Sequence, residues 1–235
     1  MLEELPALPP GVATEILEMS LHENPKALNE ALQASIDASA GEFETVILGY
    51  GLCGRAVVGL HANGCRLVIP RADDCIEIFL GSREAYLAQV RNEPGTYFLT
   101  KGWIGSGVTT PFREYDRVVE RWGNERADRV MWAMLRHYKR LAFIRTRDEE
   151  GLEDDRAQAR EIAERFRLRY EELDGTSAMV EQLLYGPWDD GFVVVPAGET
   201  VSLADFIGNN SAQSHEPERQ NAAADSGDAG QSGGG

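Results

Sequence analysis

The chain has 235 residues, 43% of them apolar and 26% charged, and a formal net charge of −16. A chain of this make-up folds without needing disulfide or metal staples, and its charge opposes nonspecific attraction to nucleic acid or an anionic membrane. No run of about 18 apolar residues could span a bilayer, the start lacks a secretory signal pattern, and a low, odd count of three cysteines points to a reducing compartment. A cytoplasmic protein with no nucleic-acid or membrane partner is expected.

Residues 1–13 are Pro-rich and read as an extended lead-in. Residues 16–21 alternate, with Leu17, Met19 and Leu21 on one face, which predicts a strand. His22-Glu-Asn-Pro25 follows; Asn24 suits a helix cap and Pro25 a first turn, and Leu28, Ala31, Leu32 and Ile36 continue at helical spacing. Residues 45–48 form a short β-branched run, read as a buried strand, closed by the Gly-rich turn 49–54. A helix is expected through Val57, Val58 and Leu60, then a strand over 66–69 ending at Pro70. Residues 76–80 and 82–90 read as helices, 96–99 as a strand, and 101–107 as a loop.

Two helices are expected over 112–122 and 124–138, a strand over 141–145, an acidic helix over about 152–166, a strand over 167–172, a helix over 176–184 and a last strand over 192–195. From Asn209 onward Ser, Asn, Asp, Gln and Gly dominate, which predicts a disordered acidic tail over 209–235 behind one α/β domain over 14–208. Short continuous apolar strands alternating with helices predict a mainly parallel sheet with helices on both faces, a layout open to two pseudo-symmetric halves. In such a sheet ligands bind outside the carboxyl ends of the strands. His22, residues 49–54, 71–75 and 100–103, Thr146 and residues 174–176 each follow a predicted strand, so they are expected to line one edge.

Gly49, Gly51 and Gly54 make the GxGxxG spacing of a dinucleotide turn. The same glycines suit a sharp turn with close packing, or a turn that exposes Cys53 at a helix start, where the thiolate is favoured. Cys53 and Cys75 follow neighbouring strands and can meet, His22 can add a nitrogen, and Asp74 or Asp73 an oxygen. Mixed S, N and O ligation suits a transition metal such as Zn, Fe or Co. The two cysteines also fit an unliganded packing pair, a redox pair or a nucleophile. Cys65 precedes a strand at the opposite end and reads as packing, and Trp103, in the loop after a strand, could line a small-molecule pocket or pack in the core.

Several motifs fall in a familiar order: Leu21-His-Glu-Asn-Pro25, Leu48-Gly-Tyr-Gly-Leu-Cys-Gly54, Val68-Ile-Pro-Arg-Ala-Asp-Asp-Cys75, Leu80-Gly-Ser-Arg83, Pro94-Gly-Thr-Tyr97, Gly102-Trp103, His137-Tyr-Lys-Arg140 and Phe192-Val-Val-Val-Pro196. Over roughly residues 15–200 the chain resembles a family of domain-of-unknown-function proteins often encoded beside corrinoid-dependent methyltransferases. The resemblance implies a part in methyl or one-carbon metabolism, with a methyltransferase or corrinoid protein as partner. The family's usual Arg-Ala-His-Asp-Cys reads Arg71-Ala-Asp-Asp-Cys75 here, so Asp73 stands where the family has a histidine. A metal-binding protein, open to catalysis, is the first expectation; a non-catalytic docking protein and a nucleotide-binding enzyme are the alternatives.

Overall fold

The computed structural model describes residues 8, 10–105, 111–145 and 152–207; the lead-in before residue 8, Thr146 and the expected tail from 209 lie outside them. Among the described residues, six strands and eight α-helices alternate along the chain. The strands are β1 (Thr45–Ile47), β2 (Arg66–Pro70), β3 (Thr96–Thr100), β4 (Arg140–Arg145), β5 (Arg169–Asp174) and β6 (Phe192–Val195). The helices are α1 (Pro25–Ser39), α2 (Cys75–Leu80), α3 (Arg83–Asn92), α4 (Lys101–Gly105), α5 (Pro111–Trp122), α6 (Asn124–Leu135), α7 (Glu153–Arg165) and α8 (Ala178–Tyr185).

The α/β reading holds, but the strands form two sheets of three. One has the order β1-β2-β6, with β1 parallel and β6 antiparallel to β2; the other, β3-β4-β5, is parallel throughout. Both sheets are covered on both faces, as period-2 alternation requires. On β2, Leu67 and Ile69 face α1 through Leu28, Leu32 and Ile36, while Val68 faces Leu183 of α8. On β4, Leu141 and Phe143 pack against Met131 and Leu135 of α6 and Ala159 and Ala163 of α7, while Ile144 meets Ile76 and Leu80 of α2.

Three local expectations are corrected. The alternation over 16–21 does not make a strand: Met19–Glu23 is a 3-10 helix. The apolar face of this segment, Leu17 and Leu21, packs on the α1 core instead of joining a sheet. No α-helix follows the Gly-rich turn; a three-residue 3-10 turn, Cys53–Arg55, leads into further turns, because Gly54 and Arg55 both take left-handed backbone (φ 58° and 62°) that breaks a right-handed helix. The loop expected over 101–107 begins as α4.

α2 joins the two sheets. It leaves β2 at its N-terminus, and its C-terminal end docks on the loop after β5, where Thr176 N–H donates to the Phe79 carbonyl (2.9 Å). Gly175 permits this approach: a Cβ there would stand 2.8 Å from both the Phe79 carbonyl and the Ile144 side chain. The turn after β1, the end of β2 and the loop after β5 therefore converge on one short helix. No helix among the described residues is long and apolar enough to cross a membrane.

Candidate functional site

The turn after β1 stays registered on the segment after β2. Leu48 N–H donates to the Val68 carbonyl (2.9 Å), and Leu52 N–H donates to the Ala72 carbonyl (2.8 Å). Gly51 is what lets the two segments touch, since a Cβ there would meet the Ala72 carbonyl oxygen at 2.9 Å and the Asp74 backbone at 3.2 Å. Gly54 faces Pro25, whose ring would stand 2.7 Å from a Cβ. Of the turn readings, close packing accounts for Gly51 and Gly54. The space a phosphate would use at Gly51 is filled by the chain's own backbone, and the helix of a dinucleotide site is absent. Gly49 has open space around it.

This registration brings Cys53 and Cys75 together. The Cys53 thiolate accepts hydrogen bonds from the Cys75 thiol and the Cys75 backbone N–H, and His22 adds a favourable charge. The Cys75 thiol bond is the largest effect and, with those aids, lowers Cys53 to about 6 against the opposing pull of burial and of Asp74. Cys75 is pushed well up, because its proton is held by Cys53 and it is buried beside that charge. One proton is thus shared unequally by two sulfurs, and the exposed one, Cys53, carries the negative charge at neutral pH.

His22, exposed on the 3-10 helix, lies against Trp103 of α4, with ring centroids 6.0 Å apart. Asp74 caps α2, its Oδ1 accepting from Ile76 N–H (2.8 Å) and Glu77 N–H (3.4 Å), and its carboxylate also takes a hydrogen bond from the Tyr86 hydroxyl. Asp73 is paired with Arg83 Nη1 at 2.8 Å. Cys65 is buried away from this group in the α1 core, as its sequence position suggested. Among the described residues no group of three or more His, Cys, Asp and Glu side chains is arranged to hold a metal ion. The four predicted ligands therefore share one neighbourhood, but only the two sulfurs are in direct contact.

An open cavity of about 310 Å³ runs beside β3, between α2, α3 and the loop before β4. Ile76, Tyr86, Phe98, Trp103, Tyr97 and Tyr138 supply its apolar walls. Tyr86, Phe98 and Ile76 also belong to the packed cluster that includes Cys75, and Trp103 lies against His22; neither sulfur lines the cavity. The cavity was not legible in the sequence beyond Trp103, since its walls come from α2, α3, β3 and the loop before β4.

Sequence reasoning also missed Glu77. It is 0% exposed, and among the described residues neither carboxylate oxygen has a hydrogen-bond partner. Burial raises it to about 7, although the Asp73 backbone and the Arg83 guanidinium, 4.0 Å away, pull the other way. A charged residue at the third position of an apolar helix, Cys75-Ile-Glu-Ile-Phe-Leu80, was the available signal.

The Gly51 contact gives a direct test of how the site is built. Gly51→Ala is expected to cost roughly 1–3 kcal/mol in thermal unfolding, because backbone must shift, and to raise the titration midpoint of Cys53 by separating the sulfurs. Gly49→Ala, with nothing within 4 Å of the new methyl group, should change neither.

No curated protein and no solved structure matches the chain. Residues 16–184 match the family model described as Protein of unknown function (DUF1638), a stretch that takes in His22, both site cysteines, Glu77 and the cavity walls. The chain belongs to that family.

Proposed function

We propose that this chain is a metal-binding protein whose site is built on the Cys53–Cys75 sulfur pair, with His22 as the third ligand and an open fourth position. The observation that carries this reading is the pair itself: two cysteines held in contact, with Cys53 drawn down to about 6 by the Cys75 thiol. Two adjacent sulfurs select soft and borderline cations such as Zn²⁺ or Co²⁺. A cation would remove the remaining proton from Cys75 and draw the His22 ring inward. Asp74 serves better as the cap that fixes Cys75 than as a ligand, since the α2 amides and Tyr86 already use its carboxylate. A substrate would bind at the open fourth position. Following the family resemblance, we assign that position to methyl or one-carbon chemistry, carried out with a methyltransferase or corrinoid protein.

The test is a titration of chelator-treated, anaerobic protein with Co²⁺, followed by sulfur-to-cobalt charge-transfer absorption. One equivalent is expected to saturate the signal. Cys53→Ser and Cys75→Ser should abolish it, His22→Ala should weaken binding, and Cys65→Ser and Asp74→Asn should leave the stoichiometry unchanged. Wild-type behaviour of both Cys53→Ser and Cys75→Ser would sink the proposal.

The direct thiol–thiol contact favours a second reading, disulfide exchange. The Cys53 thiolate would attack a substrate disulfide and release one substrate thiolate; Cys75 would then attack the mixed disulfide and release the other, leaving Cys53 and Cys75 oxidised. Stoichiometric exchange with a small disulfide in wild type, stalled as a mixed disulfide in Cys75→Ser, together with no cobalt absorption, would favour this reading over the first.

A further inference from the structure

The α5–α6 hairpin stands outside the candidate site. The inner face of α6 is apolar and packed: Ala127, Met131 and Leu135 are buried at helical spacing. Its outer face carries Arg126, Arg129, Trp132, Ala133 and Arg136, all exposed and themselves three or four residues apart. Trp132 is 70% exposed, the most open large ring among the described residues, with Arg129 three residues before it and Arg136 four after it on the same face. Arg121 and Arg126 lie over the Trp122 ring at 4.8 and 5.2 Å. Two exposed tryptophans on this hairpin, Trp122 under Arg121 and Arg126 and Trp132 between Arg129 and Arg136 on the helix face, have the composition of a binding hot spot rather than of a solvated helix face.

The charge says what fits there. Residues 124–139 hold Arg126, Arg129, Arg136 and Lys139 against Glu125 and Asp128, in a chain whose net charge is −16. Asp128 is held by the Tyr115 hydroxyl (2.8 Å), and Arg126 and Arg129 have no acidic partner among the described residues. A second copy is a poor occupant. Two-fold packing of α6 on itself about Trp132 and Ala133 would set Arg129 opposite Arg136 and Arg126 opposite Lys139, like against like. The open apolar ring at the centre of the patch suits an apolar side chain better than a charged phosphate backbone. We propose that the outer face of α6 docks an acidic, leucine-bearing segment of a different protein, with Trp132 as the apolar anchor and Arg126, Arg129 and Arg136 as the charged rim.

The probe is a fluorescein-labelled peptide of about 20 residues with a leucine stripe at helical spacing and glutamates on its flanks. Fluorescence anisotropy with the full chain is expected to show binding that weakens as salt rises. Trp132→Ala, and separately the pair Arg129→Glu and Arg136→Glu, should each weaken it by at least about tenfold. The two kinds of variant cover each other should one fail to fold, as judged by circular dichroism. The same peptide with lysine for glutamate should not bind. Absence of binding, equal binding of the acidic and basic peptides, tighter binding of a duplex DNA oligonucleotide, or a wild-type dimer that Trp132→Ala dissociates would each overturn the proposal.

Discussion

Alanine at Cys75 is expected to move the titration of Cys53 from about 6 back toward the ordinary thiol value of about 8.5. The Cys75 thiol is the largest stabiliser of the Cys53 thiolate, so its loss leaves burial and the nearby Asp74 charge, both of which disfavour the anion. The measurement is the pH dependence of iodoacetamide alkylation in chelator-treated protein, with Cys65 replaced by serine to silence the third thiol. At pH 6 the thiolate fraction should fall by about two orders of magnitude. The rate should fall less, by roughly tenfold, because a thiolate of higher pKa is intrinsically more nucleophilic. His22→Ala should raise the midpoint by a smaller step, since it is the weakest of the contributions. An unchanged midpoint in Cys75→Ala would show that the two sulfurs do not share a proton, and both readings of the site would lose their basis.

Glu77→Gln is expected to make the protein markedly more stable at pH 8 and to leave it nearly unchanged at pH 5. The folded-state value of about 7 lies above the ordinary 4.5, so the native state binds the proton more tightly than the unfolded chain does. That contribution is complete below about pH 4.5 and is lost as pH rises through 7, where the fold must hold a buried carboxylate. The width of the shift corresponds to about 3 kcal/mol, or roughly 6–12 °C in melting temperature for a domain of this size. Glutamine cannot ionise, so its melting curve should be flat over this window apart from the changes that other groups bring. Comparing slopes rather than single values removes any fixed cost of burying the amide. Metal-free protein should be used, because Glu77 is two residues from Cys75. Parallel pH profiles for wild type and Glu77→Gln would show that the carboxyl group stays protonated or finds a partner over the whole range.

The parts of this fold that were legible in the sequence are those set by local patterning. Asn24 caps α1 and Pro25 opens it, as their chemistry demands, and Leu28, Leu32 and Ile36 are buried at the expected spacing. Most strands fall within one or two residues of their apolar runs. The two-sheet division was not legible, because β-branched runs such as 66–69 and 192–195 state burial but not which strand lies beside them or in which direction. Residues 16–21 misled for the opposite reason. Their alternation is real, and Leu17 and Leu21 are packed inward, but Met19–Glu23 closes as a 3-10 turn on the α1 core rather than pairing with a strand. At the site, the reasoning from strand ends brought Cys53, Cys75 and Asp74 together after β1 and β2, while the strand that was expected to carry His22 is a 3-10 helix. That reasoning could not say that Asp74 would be taken up by capping or that Gly51 serves the contact between backbones, since both depend on what lies across from them in space.

The return of β6 to the first sheet bears on how the chain folds during synthesis. The β1–β2 pair and α1 lie within the first 70 residues, yet the free edge of β2 is covered only by residues 192–195. Val193, Val195, Val201 and Phe206 close the same apolar cluster that α1 and β2 begin. While the chain is still on the ribosome, the parallel β3-β4-β5 sheet has all its strands by Asp174, before the first sheet is completed at Phe192–Val195. The amino-terminal half must then wait, with an open strand edge and an unfinished core, for roughly 120 further residues. At a typical elongation rate of 5–20 residues per second that interval lasts on the order of ten seconds. During it β2 is open to chaperones and to pairing with the wrong strand, and the Cys53–Cys75 pair that follows β1 and β2 is assembled on a scaffold completed only at the end of the chain.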